Sequence, residues 1–194
     1  MRKLSYAIGM NIAASLKQSG IKEIDTKAVA EAIDAVLKGQ PTEITPDEAN
    51  QTLNKYFSEL QEQQIKKNME DGAAFLAANG ERKEVVTLKS GLQYEILTTG
   101  NGAKPKATDR VKCHYHGTFI NGTVFDSSVE RGEPAVFPVN GVIQGWVEAL
   151  QLMPVGSKWR LYIPSDLAYG ARGAGESIPP YSTLIFDVEL LGIE

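Results

Sequence analysis

The apolar residues of this chain change their period near residue 84. Before it they recur every three or four positions: Leu4, Ile8, Ile12 and Leu16, then Val29, Ile33, Val36 and Leu37. Beyond it the spacing drops to two, most clearly from Arg110 to Phe119, where Val111, Cys113 and Tyr115 alternate with Lys112, His114 and His116. A period near 3.6 lines one face of a helix, and a period of two lines one face of a strand. A chain written this way builds a helical part and then a β-rich part, the α+β class.

Punctuation within the first part predicts three helices. The first covers about Lys3–Ser19 and stops at Gly20, which can take the left-handed conformation that ends helices. The second runs from Thr26 to Lys38, with Gly39 as its stop. The third has the clearest start: Thr45 as N-cap, Pro46 in the first helical position, and Glu48 three residues after the cap. Continued to Asn79-Gly80, it makes a rod of roughly 50 Å. Leu53, Tyr56, Phe57 and Leu60 give its first half a packing face. Glu59 to Asp71 is mostly polar, with only Ile65 and Met69 regularly placed, and reads as a solvated connecting arm. Two short helices and half of a third cannot bury their apolar stripes alone. Residues 1–84 are therefore expected to form a helical dimerisation module with its connecting helix, ahead of a second domain over residues 85–194.

In that second domain Asn121-Gly122 is a strong hairpin signal. Ala135–Val139 and Lys158–Ile163 are further strand candidates, and Leu184, Phe186, Val188 and Leu190 form the inward face of a last strand. Between them Ile143–Leu152 carries Trp146, Ala149 and Leu150 at helical spacing. An antiparallel sheet wrapped around one short helix fits this order.

Composition removes several functions. The formal charge of −4 leaves no basic excess to neutralise phosphates, so neither nucleic acid nor a membrane surface is an expected partner. No run of about 18 apolar residues exists to span a bilayer. The single cysteine, Cys113, excludes an internal disulfide and suits a reducing compartment. Arg2-Lys3 ahead of Leu4–Leu16 has the outline of a short signal peptide. However, Ser5, Asn11 and Ser15 interrupt the apolar stretch, which recurs every four residues as a helix face does. The expected location is cytoplasmic. Periplasmic or outer-membrane association is the alternative, if residues 1–16 are a signal or a native leader has been removed. His114 and His116 share a strand face, but no third histidine exists and Cys113 points the other way, so no metal site is expected.

A set of aromatic and branched residues runs through residues 88–193: Tyr115; Gly122-Thr-Val-Phe125-Asp126-Ser-Ser128; Val142-Ile143-Gln-Gly-Trp146; Leu167-Ala-Tyr169-Gly170; Ile178-Pro179-Pro180; and Thr183-Leu-Ile-Phe186. Singly, Trp146, Phe186 and Val142 read as ordinary core and Asp126-Ser-Ser as a turn or cap. Their combined order and spacing resembles the FKBP-type peptidyl-prolyl cis-trans isomerases. Leu4-Ser-Tyr-Ala-Ile-Gly9, Leu53-Asn-Lys55 and Ser90-Gly-Leu-Gln-Tyr94 extend the resemblance to the macrophage infectivity potentiator and its cytoplasmic bacterial relatives. In that subfamily the N-terminal helices intertwine into a homodimer.

The resemblance implies a proline pocket. Trp146 would be its floor, and Tyr115, Phe125, Val142, Ile143 and Phe186 its walls, with Phe137 and Ile178 at the edges. Asp126, the Tyr169 hydroxyl and the Ile143 N–H would face the substrate, with Arg131 as partner of the aspartate; Asp126, Tyr169 and Phe186 would be the catalytic residues. Proline-containing unfolded or partly folded proteins would be the substrates, and macrolides the inhibitors. Ala135, Gly141 and Ala174 stand where the best-known single-domain members have phenylalanine, glutamate and histidine; the first is expected to open one side of the pocket and the others to alter its rim. Rotation about an X-Pro bond makes and breaks no covalent bond, so no cofactor is expected. A holdase chaperone or proline-peptide binding module is the non-enzymatic alternative.

Overall fold

The computed structural model describes residues 1–194 and divides into two compact units, Met1–Gln63 and Gln64–Glu194. The first contains α1 (Arg2–Gln18), α2 (Thr26–Lys38) and the beginning of α3 (Pro46–Gly80). Local chemistry fixes the boundaries. Asp25 accepts hydrogen bonds from the N–H groups of Lys27 and Ala28, capping α2. At the start of α3 a reciprocal capping box forms: Glu48 N–H donates to Thr45 Oγ1 at 3.2 Å, and Thr45 N–H donates to Glu48 Oε2 at 2.8 Å. Gly20 and Gly39 follow α1 and α2 with φ of 83° and 64°, as their place in the sequence requires.

This unit buries little of what it makes. Neither α1 nor α2 has a single buried residue. Leu4, Ile8 and Val36 remain 60%, 51% and 67% exposed, and Ile33, Leu53 and Tyr56 are exposed with them.

The second unit is a seven-stranded antiparallel sheet. Its strands are β1 (Val85–Thr87), β2 (Gln93–Thr98), β3 (Arg110–Phe119), β4 (Val124–Ser127), β5 (Ala135–Pro138), β6 (Lys158–Ile163) and β7 (Leu184–Ile193). They lie in the order β1-β2-β6-β7-β3-β4, with β5 paired to β3. The hairpin between β3 and β4 turns at Asn121-Gly122, where Gly122 has φ of 82° and Asn121 Oδ1 accepts from Thr123 N–H. One face of the sheet packs on α5 (Gln144–Leu152). Val111, Cys113 and Tyr115 from β3 meet Leu184, Phe186, Val188 and Leu190 from β7 and Trp146, Ala149 and Leu150 from α5, all buried. The alternation read from β3 and β7 is the alternation observed.

The opposite face is also covered, by residues 64–80 of α3. Phe75 packs on Tyr162 of β6 with ring centroids 5.9 Å apart. Asn79, buried, donates to Gln93 Oε1 at 2.8 Å, and Gln93 Nε2 returns a bond to Leu76 O at 2.9 Å. Arg82, just past the helix, reaches Tyr162 Oη, Glu84 and Glu95. In the stretch read as a solvated arm, Met69 is indeed exposed, but Asn68 is half-buried and donates to Pro180 O. Polar and small residues, Asn68, Gly72 and Asn79, share this contact surface with Phe75, which weakens its apolar periodicity.

Candidate active site

The residues singled out in the sequence converge at one end of the inner sheet face. A cavity of about 620 Å³ is lined there by Tyr115, Phe125, Asp126, Phe137, Val142, Ile143, Trp146, Tyr169, Ile178 and Phe186, together with Gly141, Ala174 and Ser177. Its size falls within the range of small-ligand clefts. Ala135 is not among the lining residues; it sits on β5 opposite Cys113, packed against the core. Gly141 and Ala174 are among the residues that line it.

Each side chain arrives by a local rule. Tyr115 points inward because it shares its strand face with Val111 and Cys113. Trp146 lies in the first turn of α5, whose N-cap is Ile143. The N–H groups at a helix start have no partner in the helix's own ladder, which leaves the Ile143 end of α5 rich in donors. The aromatic rings meet edge to face: Trp146 stands 5.6 Å from Tyr115, 5.3 Å from Phe186 and 5.9 Å from Phe137, with interplanar angles of 81°, 85° and 87°. Phe125 meets Phe186 at 5.4 Å and 85°. Such pairs add roughly 0.5–1.5 kcal/mol each beyond their buried area, so they hold the box rigid.

Gly117, on β3 opposite Asp126, makes that box possible. A Cβ at this position would lie 2.7 Å from Phe125 Cζ and 2.8 Å from Phe186 Cε1. Sequence reading did not select it, because a lone glycine in an alternating strand carries no signature of what approaches it.

The charge at the site is a single carboxylate. Asp126 Oδ2 accepts from the Tyr115 hydroxyl at 2.5 Å, Oδ1 pairs with Arg131 Nη1, and Arg131 Nη2 donates to Tyr115 Oη at 2.7 Å. Arg131 is brought back by α4 (Ser128–Arg131), a single turn capped when Ser127 Oγ accepts from Glu130 N–H. Ser128, fully buried, accepts from Tyr115 N–H at 2.8 Å. The two serines after the aspartate thus place its partners: Ser127 is the cap that Asp126-Ser-Ser suggests, while the bond from Tyr115 N–H to Ser128 is not legible in the motif. Burial pushes the Asp126 pKa up, but the hydrogen bonds from Tyr115 and Arg131 outweigh it and leave the carboxyl below its ordinary value of 3.8. Asp126 is therefore ionised at neutral pH. Burial, and then the Asp126 charge, push the Tyr169 hydroxyl above its ordinary value, so it stays a protonated donor.

Away from the cavity, His114 Nδ1 lies 3.0 Å from Ser128 Oγ and His116 Nδ1 lies 3.0 Å from Ser127 Oγ. No group of three or more His, Cys, Asp or Glu side chains gathers as a metal site would require. No helix is long and apolar enough to cross a membrane.

Residues 101–191 match the model of the FKBP-type peptidyl-prolyl cis-trans isomerase family, and residues 1–96 match the domain amino terminal to FKBP-type peptidyl-prolyl isomerase. The FKBP-type 22 kDa peptidyl-prolyl cis-trans isomerase of Escherichia coli K12 is 47% identical over 192 residues, covering 97% of this chain and 93% of its own. The outer membrane protein MIP of Legionella longbeachae is 41% identical, covering 99% of this chain and 85% of its own. The crystal structure of FkpA from Escherichia coli superposes with a TM-score of 0.83 at 33% identity, over 100% of this chain and 94% of that one. With such identity along its whole length, the chain belongs to the FKBP-type peptidyl-prolyl cis-trans isomerases.

Proposed function

We propose that the cavity binds the proline ring of an X-Pro segment in an unfolded or partly folded protein and accelerates rotation about the preceding amide bond. The observation that carries this reading is the aromatic box around Trp146 with one oriented carboxylate, Asp126, at its mouth. The amide barrier is roughly 18–20 kcal/mol because the nitrogen lone pair is delocalised into the carbonyl. Twisting removes that delocalisation and much of the amide dipole. An apolar, water-poor cavity disfavours the planar amide more than the twisted one, which is differential binding of the transition state. Trp146 is the floor; Tyr115, Phe125, Val142, Ile143 and Phe186 are the walls; Phe137 and Ile178 close the edges. Asp126, Tyr169 and the Ile143 N–H hold the twisting segment, and Arg131 keeps Asp126 oriented.

The test is a protease-coupled assay on X-Pro tetrapeptides. Peptides with Leu or Phe before proline should be turned over several-fold faster than those with Glu or Asp, because a charged side chain is desolvated without a partner among these walls. No acceleration by folded protein would leave a non-enzymatic binding module as the surviving reading. A flat preference profile would remove the apolar subsite.

We also infer a homodimer through the N-terminal helices. It is supported by the exposed stripes of Leu4, Ile8, Ile33 and Val36 and by the match of residues 1–96 to a domain found ahead of such isomerases. Light scattering should give twice the chain mass, and Ile8→Asp with Ile33→Asp should reduce it to the monomer; a monomeric parent protein would contradict the inference. A cytoplasmic location is the companion proposal, resting on the interruption of residues 4–16 by Ser5, Asn11 and Ser15. Recovery in the envelope fraction would overturn it.

A further inference from the structure

The segment between Leu167 and Leu184 brings Tyr169, Ala174, Ser177 and Ile178 to the cavity. Its hydrogen bonds are mostly its own. Ala174 and Ile178 exchange backbone bonds of 2.8 and 3.2 Å, Tyr181 N–H donates to Gly170 O at 2.9 Å, and Ser182 Oγ donates to Pro179 O at 2.7 Å. Tyr181 has φ of 56°, left-handed backbone that an ordinary side chain adopts only where its surroundings fix it.

One side-chain hydrogen bond reaches this segment from another element. Asn68 Nδ2 of α3 donates to Pro180 O at 2.8 Å. Its amide is held in that orientation by Gln64 Nε2, which donates to Asn68 Oδ1 at 2.7 Å. One turn along the helix, Gly72 is buried, and a Cβ there would lie 2.4 Å from Thr183 Oγ1. Helix α3 therefore touches the loop on both sides of Tyr181.

We propose that Asn68 and Gly72 are positioning residues for the isomerase reaction. By fixing Pro180 and Thr183 they set the path of the loop, and through it the placement of Tyr169 and Ile178 at the cavity. This rests on the reading that the cavity is the X-Pro site, and it adds a determinant of rate on a helix that does not line that site.

Two substitutions separate positioning from mere support. Asn68→Asp keeps the side-chain shape but sets an acceptor against Pro180 O. Gly72→Ala replaces a mid-helix glycine by the best helix former, so by itself it should stabilise α3. Each is expected to lower kcat/KM on a Leu-Pro peptide about three- to tenfold, Asn68→Asp through the loss of one hydrogen bond to Pro180 O and Gly72→Ala through the shift forced on Thr183. In Gly72→Ala the gain in helix propensity is opposed by crowding against Thr183, so its rate is read well below its own unfolding midpoint, and the double variant with Thr183→Ala should be the more stable of the two. Adding Thr183→Ala to Gly72→Ala removes the oxygen that the new methyl would meet and should restore most of the lost rate.

Trp146→Ala serves as the control on the pocket. If it lowers the rate while folded Asn68→Asp and Gly72→Ala match the parent protein, the positioning role is overturned and the pocket reading stands. If Trp146→Ala is also without effect, the pocket is misassigned and the inference falls with it. Rate losses that only track a lower unfolding midpoint, without rescue by Thr183→Ala, would likewise overturn it.

Discussion

Asp126→Ala should lower kcat/KM at least tenfold, a loss of about 1.4 kcal/mol of transition-state stabilisation. Two effects combine. The substitution removes the only carboxylate lining the cavity, and it strips Tyr115 Oη and Arg131 of their shared acceptor. Tyr115, whose ring lies beside Trp146 and Phe137, is then left with Arg131 as the one partner of its hydroxyl. Because the Asp126–Arg131 pair is about half exposed, its contribution to folding stability is small, and the unfolding midpoint should barely move. The loss should therefore appear in kcat more than in overall stability. Asp126→Asn, which keeps an acceptor for Tyr115 but not the charge, should fall between the alanine variant and the parent protein. A kcat/KM within twofold of the parent for Asp126→Ala would take this residue out of the site.

Gly117→Ala should damage both fold and rate. The new methyl would lie 2.7–2.8 Å from atoms of Phe125 and Phe186, closer than carbon atoms pack. Neither ring can swing away cheaply, since Phe186 is locked edge-on against Trp146 and Phe125 sits 5.0 Å from Phe119. Overpacking of this kind costs roughly 1–3 kcal/mol. For a chain of this size that lowers Tm by roughly 3–10 °C. The two displaced rings are cavity walls, so kcat/KM should fall by an order of magnitude or more at temperatures where the variant is still folded. Thermal unfolding and the peptide assay on the same preparation check both halves. An active, equally stable Gly117→Ala would mean that the aromatic box yields freely and is not the rigid cradle described.

Physical signals explain what could be read in advance. The capping box of Thr45 and Glu48 is a local arrangement, and local chemistry alone produces it. The inward faces of β3 and β7 follow from alternation, which a buried sheet face enforces. The strands β1 and β2 went unread because Val85–Thr87 is too short to show a period and Gln93–Thr98 begins on a buried glutamine bonded to Asn79. Polar contacts of the same kind, from Asn68 and Asn79, carry part of the docking of residues 64–80 beside Phe75 and leave it without a clear apolar period. At the site, the ring-bearing residues announce themselves by chemistry and order. Gly117 and Ser128 do not, because the first acts through space it leaves empty and the second through bonds to a neighbouring strand.

The lone cysteine has a consequence beyond its role in packing. Cys113 is fully buried on the core face of β3, and burial pushes its thiol up to about 12. Only the thiolate reacts at an appreciable rate with oxidants or disulfides, so at neutral pH this sulfur is chemically silent. A chain with one inert thiol has nothing to form in an oxidising environment and nothing to protect in a reducing one. The sulfur content that suits a reducing compartment suits an oxidising one equally, and a catalyst built this way can be carried from one to the other without any change to its fold.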